Sequence, residues 1–271
     1  MQLDHWGLEH SPFPTLLDAD NAYPIAGHEE ALNRIEYLIE ARRRLGVVLG
    51  EPGVGKTLSL RAAARRLGRK GHTIVLVSGL GLSSRELIWQ VADGLRATPE
   101  HDADVASLWR LVAARVTESR LQQASAVLLV DDAGQAGPDM LNQFVRLARL
   151  DPTPAARWTI VLAAERDQAG RWSQGLRELV DLRIDLPPWS EEDTIGFVQT
   201  ALVDAGRFDP IFDEEALATI YELTDGVPRR VAQLANLALL AGAAAELATI
   251  DAGAVREAHE ELRWPEVAEA F

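Results

Sequence analysis

A glycine-rich segment near residue 50 combines the residue types and the spacing that bind phosphate. It fits the pattern G-x-x-x-x-G-K-[ST], between a strand pattern and a helical pattern, and this context disfavours a chance glycine-rich turn. In such a loop, successive backbone N–H groups curl around the β- and γ-phosphates, helped by the N-terminus of the following helix. Lys56 can reach the β/γ oxygens and Thr57 can hold Mg²⁺. We therefore predict an ATP and Mg²⁺ site whose binding residues are Gly50, Glu51, Pro52, Gly53, Val54, Gly55, Lys56, Thr57 and Leu58.

Two carboxylates follow a hydrophobic run at residues 127–130, which is the Walker B pattern. Asp131 is predicted to hold the Mg²⁺ shell, and Asp132 to orient the attacking water as a catalytic residue beside Lys56. Many such ATPases have glutamate in place of Asp132, and the aspartate carboxylate lies about 1.5 Å nearer the backbone. Because a misplacement of about 1 Å can cost on the order of 100-fold in rate, we expect slow ATP hydrolysis or a need for a partner. The alternative is that the two aspartates merely end a strand.

The segments around these residues alternate between short β-branched runs and amphipathic helical patterns. Strands separated by helices indicate a parallel sheet covered on both faces. The fold class predicted is therefore α/β, a three-layer core with a five-stranded parallel sheet. The strands are expected at 46–49, 73–77, 126–130, 158–162 and 182–186, and the helices at 58–67 (ended by Gly68), 84–96, 103–123 and 138–150.

Leu186-Pro187-Pro188 marks a boundary, because paired prolines end a strand and cannot lie inside a helix. Strand patterns vanish beyond it, and about four helices are expected. Residues 187–271 carry 17 acidic and five basic residues, a net charge of −12, whereas residues 1–186 have a net charge of −2. A small, acidic, all-helical domain is therefore expected after the core.

Composition excludes several other functions. The 271 residues include no cysteine, so disulfides, zinc–thiolate sites and a cysteine nucleophile are ruled out. The six histidines lack ligand spacing, and no G-x-S-x-G elbow occurs. No signal peptide is visible, and the most apolar stretch, 231–245, is too short and too weak to span a bilayer. A soluble, cytoplasmic protein without direct membrane insertion is expected.

Four further segments carry recognisable patterns. They are His5-Trp6-Gly7-Leu8 with Ser11-Pro12-Phe13-Pro14, Gly27-His28-Glu29-Glu30-Ala31-Leu32, Leu186-Pro187-Pro188-Trp189-Ser190-Glu191-Glu192-Asp193-Thr194, and Thr224-Asp225-Gly226-Val227-Pro228-Arg229-Arg230-Val231. Together with the two motifs they resemble the AAA+ ATPases of the ExeA, or general secretion pathway protein A, type. The resemblance runs from about His5 to Leu262. The same ATPase module resembles the TniB/TnsC transposition ATPases and, more distantly, origin-recognition proteins.

The resemblance implies a domain plan. Residues 1–30 form an N-terminal segment packing on the core, with Trp6 and Phe13 over its nucleotide-side face. Residues 31–186 form the P-loop AAA+ ATPase core, and residues 187–271 form the helical AAA+ lid domain.

The resemblance also implies roles for several charged residues. Arg229 corresponds to the sensor 2 arginine, which reaches from the lid to the γ-phosphate and binds nucleotide. Arg183 corresponds to an arginine finger acting on a neighbouring subunit's nucleotide, with Arg177 as a second candidate. The alternative for Arg183 is a solvated or salt-bridged strand residue. Where the family has a polar sensor 1 residue, this chain reads Ala163-Ala164-Glu165; Glu165 could serve, but the two alanines weaken the case for strong turnover.

The function expected is an oligomeric ATPase motor or switch that self-associates with ATP into a ring or helix. It would act on a protein partner of unknown identity, in secretion or envelope assembly. A TniB/TnsC-like regulator that grips DNA is the first alternative, since Arg61, Arg65 and Arg69 repeat along one helix beside Arg66 and Lys70. That face could equally be solvated, and the pI near 4.9 disfavours non-specific DNA binding. A nucleotide-gated scaffold with very slow hydrolysis is the second alternative.

Overall fold

The computed structural model describes residues 2–13 and 25–262 of the chain. These residues fall into two compact units, the core unit (25–187) and the helical unit (2–13 with 188–262). The elements in chain order are α1 (Gln2–Trp6), α2 (Ala26–Glu40), β1 (Leu45–Gly50), α3 (Lys56–Arg69), β2 (Thr73–Ser78), α4 (Ser84–Gly94), α5 (Val105–Leu121), β3 (Ala126–Asp131), a 3₁₀ turn (Ala133–Gln135), α6 (Pro138–Ala148), β4 (Trp158–Ala164), α7 (Arg166–Gly170), α8 (Gln174–Arg177), β5 (Leu182–Leu186), α9 (Glu191–Asp204), α10 (Glu214–Thr224), α11 (Pro228–Ala244) and α12 (Ala252–Leu262).

The core unit is built on a five-stranded parallel sheet with the strand order β2-β3-β4-β1-β5. Its three central strands, β1, β3 and β4, are buried at every residue, which explains their continuous apolar sequences. Successive side chains alternate between the sheet faces. One set, including Val48 and Leu129, packs with residues of α2 and α3. The other set, including Val47 and Leu128, packs with residues of α4, α5 and α6. The predicted three-layer α/β fold is confirmed.

The end of α3 differs from the sequence prediction. Gly68 lies inside the helix, which ends at Arg69. Gly71, three residues later, adopts the left-handed conformation with φ +85°, where a side chain would be strained. His72 then donates its backbone N–H to the Leu67 carbonyl and closes the helix end. The prediction chose the first available glycine, and the chain uses the second.

Two helix starts agree with the sequence patterns. Ser83 and Glu86 form a reciprocal capping box at α4, in which each side chain accepts a hydrogen bond from the other residue's backbone N–H. Ser190 and Asp193 do the same at α9. These caps fix where the chain leaves the loops that follow β2 and β5.

The described N-terminal residues pack within the helical unit. The Trp6 indole Nε1 donates to the Leu239 carbonyl of α11 at 2.8 Å, and its ring covers Gly242, where a Cβ would lie 2.9 Å from it. Phe13 is buried against Phe197, with 5.8 Å between the ring centroids. The described residues 2–13 thus belong to the helical unit, because the indole finds both a carbonyl and a side-chain-free notch on α11. Their packing on the core stays a prediction. Residues 14–24 and 263–271 lie outside the described part of the chain.

Candidate nucleotide-binding site

The sheet register brings the two predicted motifs to one edge. All five strands are parallel, so their carboxyl ends lie on the same side. Leu49 of β1 is paired with Ala164 of β4, and Val130 of β3 is paired with Leu162 of the same strand. The P-loop after β1 and the aspartates at the end of β3 are therefore two strand spacings apart, about 10 Å.

The P-loop connects β1 directly to α3. Gly55 is the N-cap of α3 and has φ +99°, a conformation that a non-glycine residue would adopt only with strain. The Val54 side chain is fully buried and anchors the middle of the loop. Lys56 and Thr57 follow in the first helical turn, so backbone N–H groups without intrahelical partners point out of the helix at this position. This arrangement is suited to binding an anion.

The Lys56 ammonium is held across the P-loop. Its Nζ donates to the carbonyl oxygens of Gly50 at 3.1 Å and Glu51 at 2.9 Å. These contacts keep a compact positive charge at the loop that the sequence assigns to the β- and γ-phosphates. Lysine fits this position because its charge is concentrated at the end of a flexible side chain.

Asp131 and Asp132 have different surroundings. Asp131 is the last residue of β3 and only 9% exposed, and its Oδ1 accepts the Asp132 backbone N–H at 3.1 Å. Asp132 has φ +52° and ψ +29°, the left-handed region that aspartate tolerates better than most residues. This backbone turns the chain sharply after β3. Asp132 therefore occupies a strained position at the candidate catalytic edge, which is where such strain is commonly found.

Sequence reasoning missed Ser78, which donates from Oγ to Asp132 Oδ2 at 3.5 Å. Ser78 is the last residue of β2 and is paired in register with Asp131. The Gly79 N–H donates to the Asp131 carbonyl at 2.7 Å, so the loop after β2 is tied to the same turn. The strand pattern alone could have found Ser78, because neighbouring parallel strands end together.

The end of β4 has no polar side chain within the strand, since Ala163 and Ala164 are both buried. Glu165 follows at the N-cap position of α7 and accepts a hydrogen bond from Gln168 Nε2 at 2.9 Å. The Gln168 side chain also lies against Gly134, leaving no room for a Cβ there. Sequence reasoning missed Gln168, which packs Glu165 beside the turn that follows Asp132.

Each of the three predicted arginines is described within its own unit. Arg183 in β5 pairs through Nη2 with Asp185 Oδ1 at 2.9 Å, and Arg166 pairs with the same oxygen at 3.1 Å. The Arg183 side chain is 54% exposed. Arg183 is thus both solvated and salt-bridged, which is the alternative that the sequence left open. Arg177 is exposed at the end of α8, and Arg229 is exposed in the first turn of α11 in the helical unit. Their roles as finger and sensor stay predictions.

The residues predicted to hold Mg²⁺ supply the oxygen donors this ion prefers, a hydroxyl from Thr57 and a carboxylate from Asp131. Among the residues that the structure describes, no group of three or more His, Asp or Glu side chains is placed to hold a metal ion. Mg²⁺ at a nucleotide site is usually bound by one or two protein ligands together with substrate phosphates and water. When bound, such an ion neutralises negative charge on the phosphate oxygens.

Comparisons with known proteins agree with this geometry. The AAA domain family matches residues 39–170. General secretion pathway protein A of Aeromonas hydrophila is 27% identical over 245 residues, which cover 89% of this chain and 45% of that protein. The chain thus spans less than half the length of this relative.

Two solved structures share the fold. Cdc6p from Pyrobaculum aerophilum has a TM-score of 0.72 at 21% identity, covering 94% of this chain and 71% of that one. The Aeropyrum pernix ORC1 protein in complex with DNA has a TM-score of 0.63 at 16% identity, covering 95% and 69%. Within the described residues, none of the helices combines the length and apolar character needed to cross a membrane. The family resemblance expected from the sequence is confirmed.

Proposed function

We propose that this chain, an AAA+ ATPase of the general secretion pathway protein A type, binds ATP with Mg²⁺ and works as an oligomeric motor or switch on a protein partner. The observation that carries the proposal is the shared sheet edge. A P-loop with its lysine held at the loop lies about two strand spacings from a buried and a strained aspartate. Phosphate binding and water activation need these two groups on one side of the sheet.

Each residue at this edge has a distinct task in the proposed reaction. The backbone N–H groups at the start of α3 and the Lys56 ammonium bind the β- and γ-phosphates. Thr57 and Asp131 hold Mg²⁺, and the Asp132 carboxylate accepts a hydrogen bond from the attacking water and orients it. Ser78 holds Asp132 through its Oδ2 before the water is engaged. Because an exposed salt bridge contributes little stability, Arg183 can leave Asp185 to contact a neighbour's nucleotide.

The proposed cellular setting is taken from the relative, and the identity of the protein partner is left open. A general secretion pathway protein A suggests work in secretion or envelope assembly, in which a nucleotide-driven conformational change is passed to another protein. Because the chain spans 45% of that relative, this assignment rests on the ATPase part alone.

The test is ATP turnover per subunit measured against protein concentration, with and without duplex DNA. Turnover that rises with concentration and ignores DNA supports a finger acting between subunits and a protein-directed ATPase. In that regime Arg183→Ala is expected to remove the concentration dependence. Asp185→Asn, the matched control, frees the arginine and should retain it. Turnover that is independent of concentration would contradict the oligomeric mechanism.

A DNA-associated regulator is the second candidate, favoured by a basic groove between α2 and α3. Arg65, Arg66, Arg69 and Lys70 line this groove together with Glu29, Leu32 and Ala62, and a fold neighbour was solved with DNA. Glu36 pairs with Arg66 at 2.8 Å and with Lys70 at 2.9 Å, so part of this charge is neutralised within the chain. Stimulation of turnover by DNA that is lost at high salt and in Arg65→Glu/Arg69→Glu would favour this candidate.

A nucleotide-gated scaffold with very slow hydrolysis is the third candidate. It is favoured by the short, strained Asp132 and by the buried alanines that end β4. Negligible turnover with or without DNA, together with tight ATP binding, would favour it over both others.

A further inference from the structure

The first turn of α2 brings a histidine onto the outer side of the P-loop. His28 Nε2 lies 3.0 Å from the Val54 carbonyl oxygen. A Cβ added at Gly55 would meet the same ring, at 2.8 Å from Nε2 and 2.9 Å from Cε1. The imidazole therefore covers the Val54–Gly55 peptide. His28 has no metal-ligand spacing to the other histidines, and neither phosphate binding nor hydrolysis as proposed above uses it.

The direction of this hydrogen bond is fixed by chemistry. A carbonyl oxygen can only accept, so Nε2 carries the hydrogen and donates it to Val54. The backbone at this point has just left β1 and has not yet entered α3. The Gly55 carbonyl, one residue later, already accepts the Ser59 N–H of the helix at 2.9 Å. His28 thus supplies a donor to the last loop carbonyl before the helical ladder begins.

Holding the Val54 carbonyl also sets the direction of the next N–H group. In a planar trans peptide the C=O and the following N–H point in opposite directions. A Val54 carbonyl drawn toward α2 therefore aims the Gly55 N–H to the opposite side of the peptide, away from α2. Phosphate binding by a P-loop depends on such N–H groups pointing inward together.

We propose that His28 is a positioning residue for phosphate binding, which keeps the Val54–Gly55 peptide in the orientation that presents the Gly55 N–H to the nucleotide. This inference rests on the proposed function, because it assigns His28 to the same ATP site. It also gives Gly55 a second constraint besides its φ of +99°, since any side chain there would displace the ring. His28 and Lys56 then hold the loop at different carbonyl oxygens. The imidazole binds that of Val54, and the ammonium binds those of Gly50 and Glu51.

Two substitutions of His28 test the inference, because both introduce a side-chain amide but the two side chains differ in length. In His28→Gln the terminal amide nitrogen is four bonds from Cα, as Nε2 is, so it can still donate to Val54. In His28→Asn the amide is one bond shorter and cannot reach. Loss of one hydrogen bond that holds the loop is expected to weaken ADP binding about three- to tenfold in the asparagine variant. The glutamine variant should bind within about twofold of the unsubstituted protein. Arg34→Ala is the control, because Arg34 lies on the same helix but pairs only with Glu30 on its surface among its described contacts.

ADP affinity by titration calorimetry is the measurement, with the Gly55 amide resonance recorded without nucleotide. The resonance should shift in the asparagine variant and not in Arg34→Ala. In turnover assays the asparagine variant should raise KM with kcat unchanged, since the phosphates are held in both the ground and the transition state. If the unsubstituted protein binds ADP and the asparagine and glutamine variants bind it with equal affinity, the inference about His28 is wrong but the proposed function stands. No ADP binding by the unsubstituted protein would overturn the proposed function and this inference together.

Discussion

Lengthening the side chain at residue 132 tests whether slow ATP hydrolysis is caused by the position of the Asp132 carboxylate. Asp132→Glu adds one methylene, which moves the carboxylate by about 1.5 Å along the side chain. A displacement of about 1 Å changes rates on the order of 100-fold when water orientation limits the reaction. We therefore expect the glutamate variant to hydrolyse ATP about 10- to 100-fold faster. The carboxylate would also pass beyond the present 3.5 Å contact with Ser78 Oγ.

The same substitution has a cost in stability that the backbone predicts. Residue 132 has φ +52°, and glutamate lacks the short side chain that lets aspartate occupy this region at low cost. The variant should lose about 1 kcal/mol of unfolding free energy, or roughly 2–4 °C in Tm for a chain of this size. Asp132→Asn is the matched control, because asparagine also tolerates φ > 0 but has no carboxylate. It should retain the Tm and lose turnover.

Single-turnover phosphate release at saturating ATP measures the rate, and thermal unfolding in the same buffer measures the Tm. A faster but less stable glutamate variant supports both parts of the reasoning. If the variant binds ATP normally and turns over no faster than the unsubstituted protein, carboxylate length is not the limiting defect. A partner requirement, or the two alanines that end β4 where the family has sensor 1, would then be the explanation.

Three further changes test other parts of the molecule. Lys56→Ala should weaken ADP binding by on the order of 100-fold, because a charge-assisted contact to phosphate is lost; calorimetry that finds under threefold would contradict the role of the lysine. Trp6→Ala should lower the unfolding free energy of the helical unit by about 3 kcal/mol, as a buried indole and its bond to Leu239 are removed. A melting curve unchanged by that substitution would refute the packing of α1. Burial raises the pKa of Glu36, but the hydrogen bond from Lys70 and the positive charges of Arg66 and Lys70 together lower it by more. The pKa of Glu36 therefore lies below the ordinary 4.5. Its contribution is therefore present above pH 4.5 and lost as the pH falls through the folded pKa, and Glu36→Gln should be less stable at pH 7 with a shallower acid transition in urea titrations.

The core unit was predictable because its three central strands are buried on both faces. Runs such as Ala126–Asp131 have no polar residue before the terminal aspartate, so both their type and their end could be inferred from sequence. The P-loop was predictable for a different reason: its backbone task requires glycine and lysine at fixed spacing. Where several residues satisfy the same local rule, sequence fails to choose, as with Gly68 and Gly71 at the end of α3.

The features that the sequence did not predict depend on contacts or backbone conformations that no local pattern indicates. Nothing local distinguishes His28 from a surface histidine, because its partner, Val54, is 26 residues away. The backbone of Asp132 was equally hidden, since two adjacent aspartates carry no signal for a left-handed turn. The packing of Trp6 required knowledge of α11, which lies 233 residues further along the chain. Arg183 was assigned by resemblance, and Asp185, its partner in the same strand, was overlooked.

The position of Trp6 has a consequence for the order in which the chain folds during synthesis. The core unit is continuous from residue 25 to residue 187, so its sheet can close while the ribosome is still translating the helices that follow residue 188. Helix α1 can pack only later, because the carbonyl that Trp6 binds and the notch at Gly242 are synthesised some 230 residues later. Until then an exposed tryptophan and phenylalanine precede a folded domain. The helical unit is therefore completed by two segments, one on each side of the core unit in the sequence.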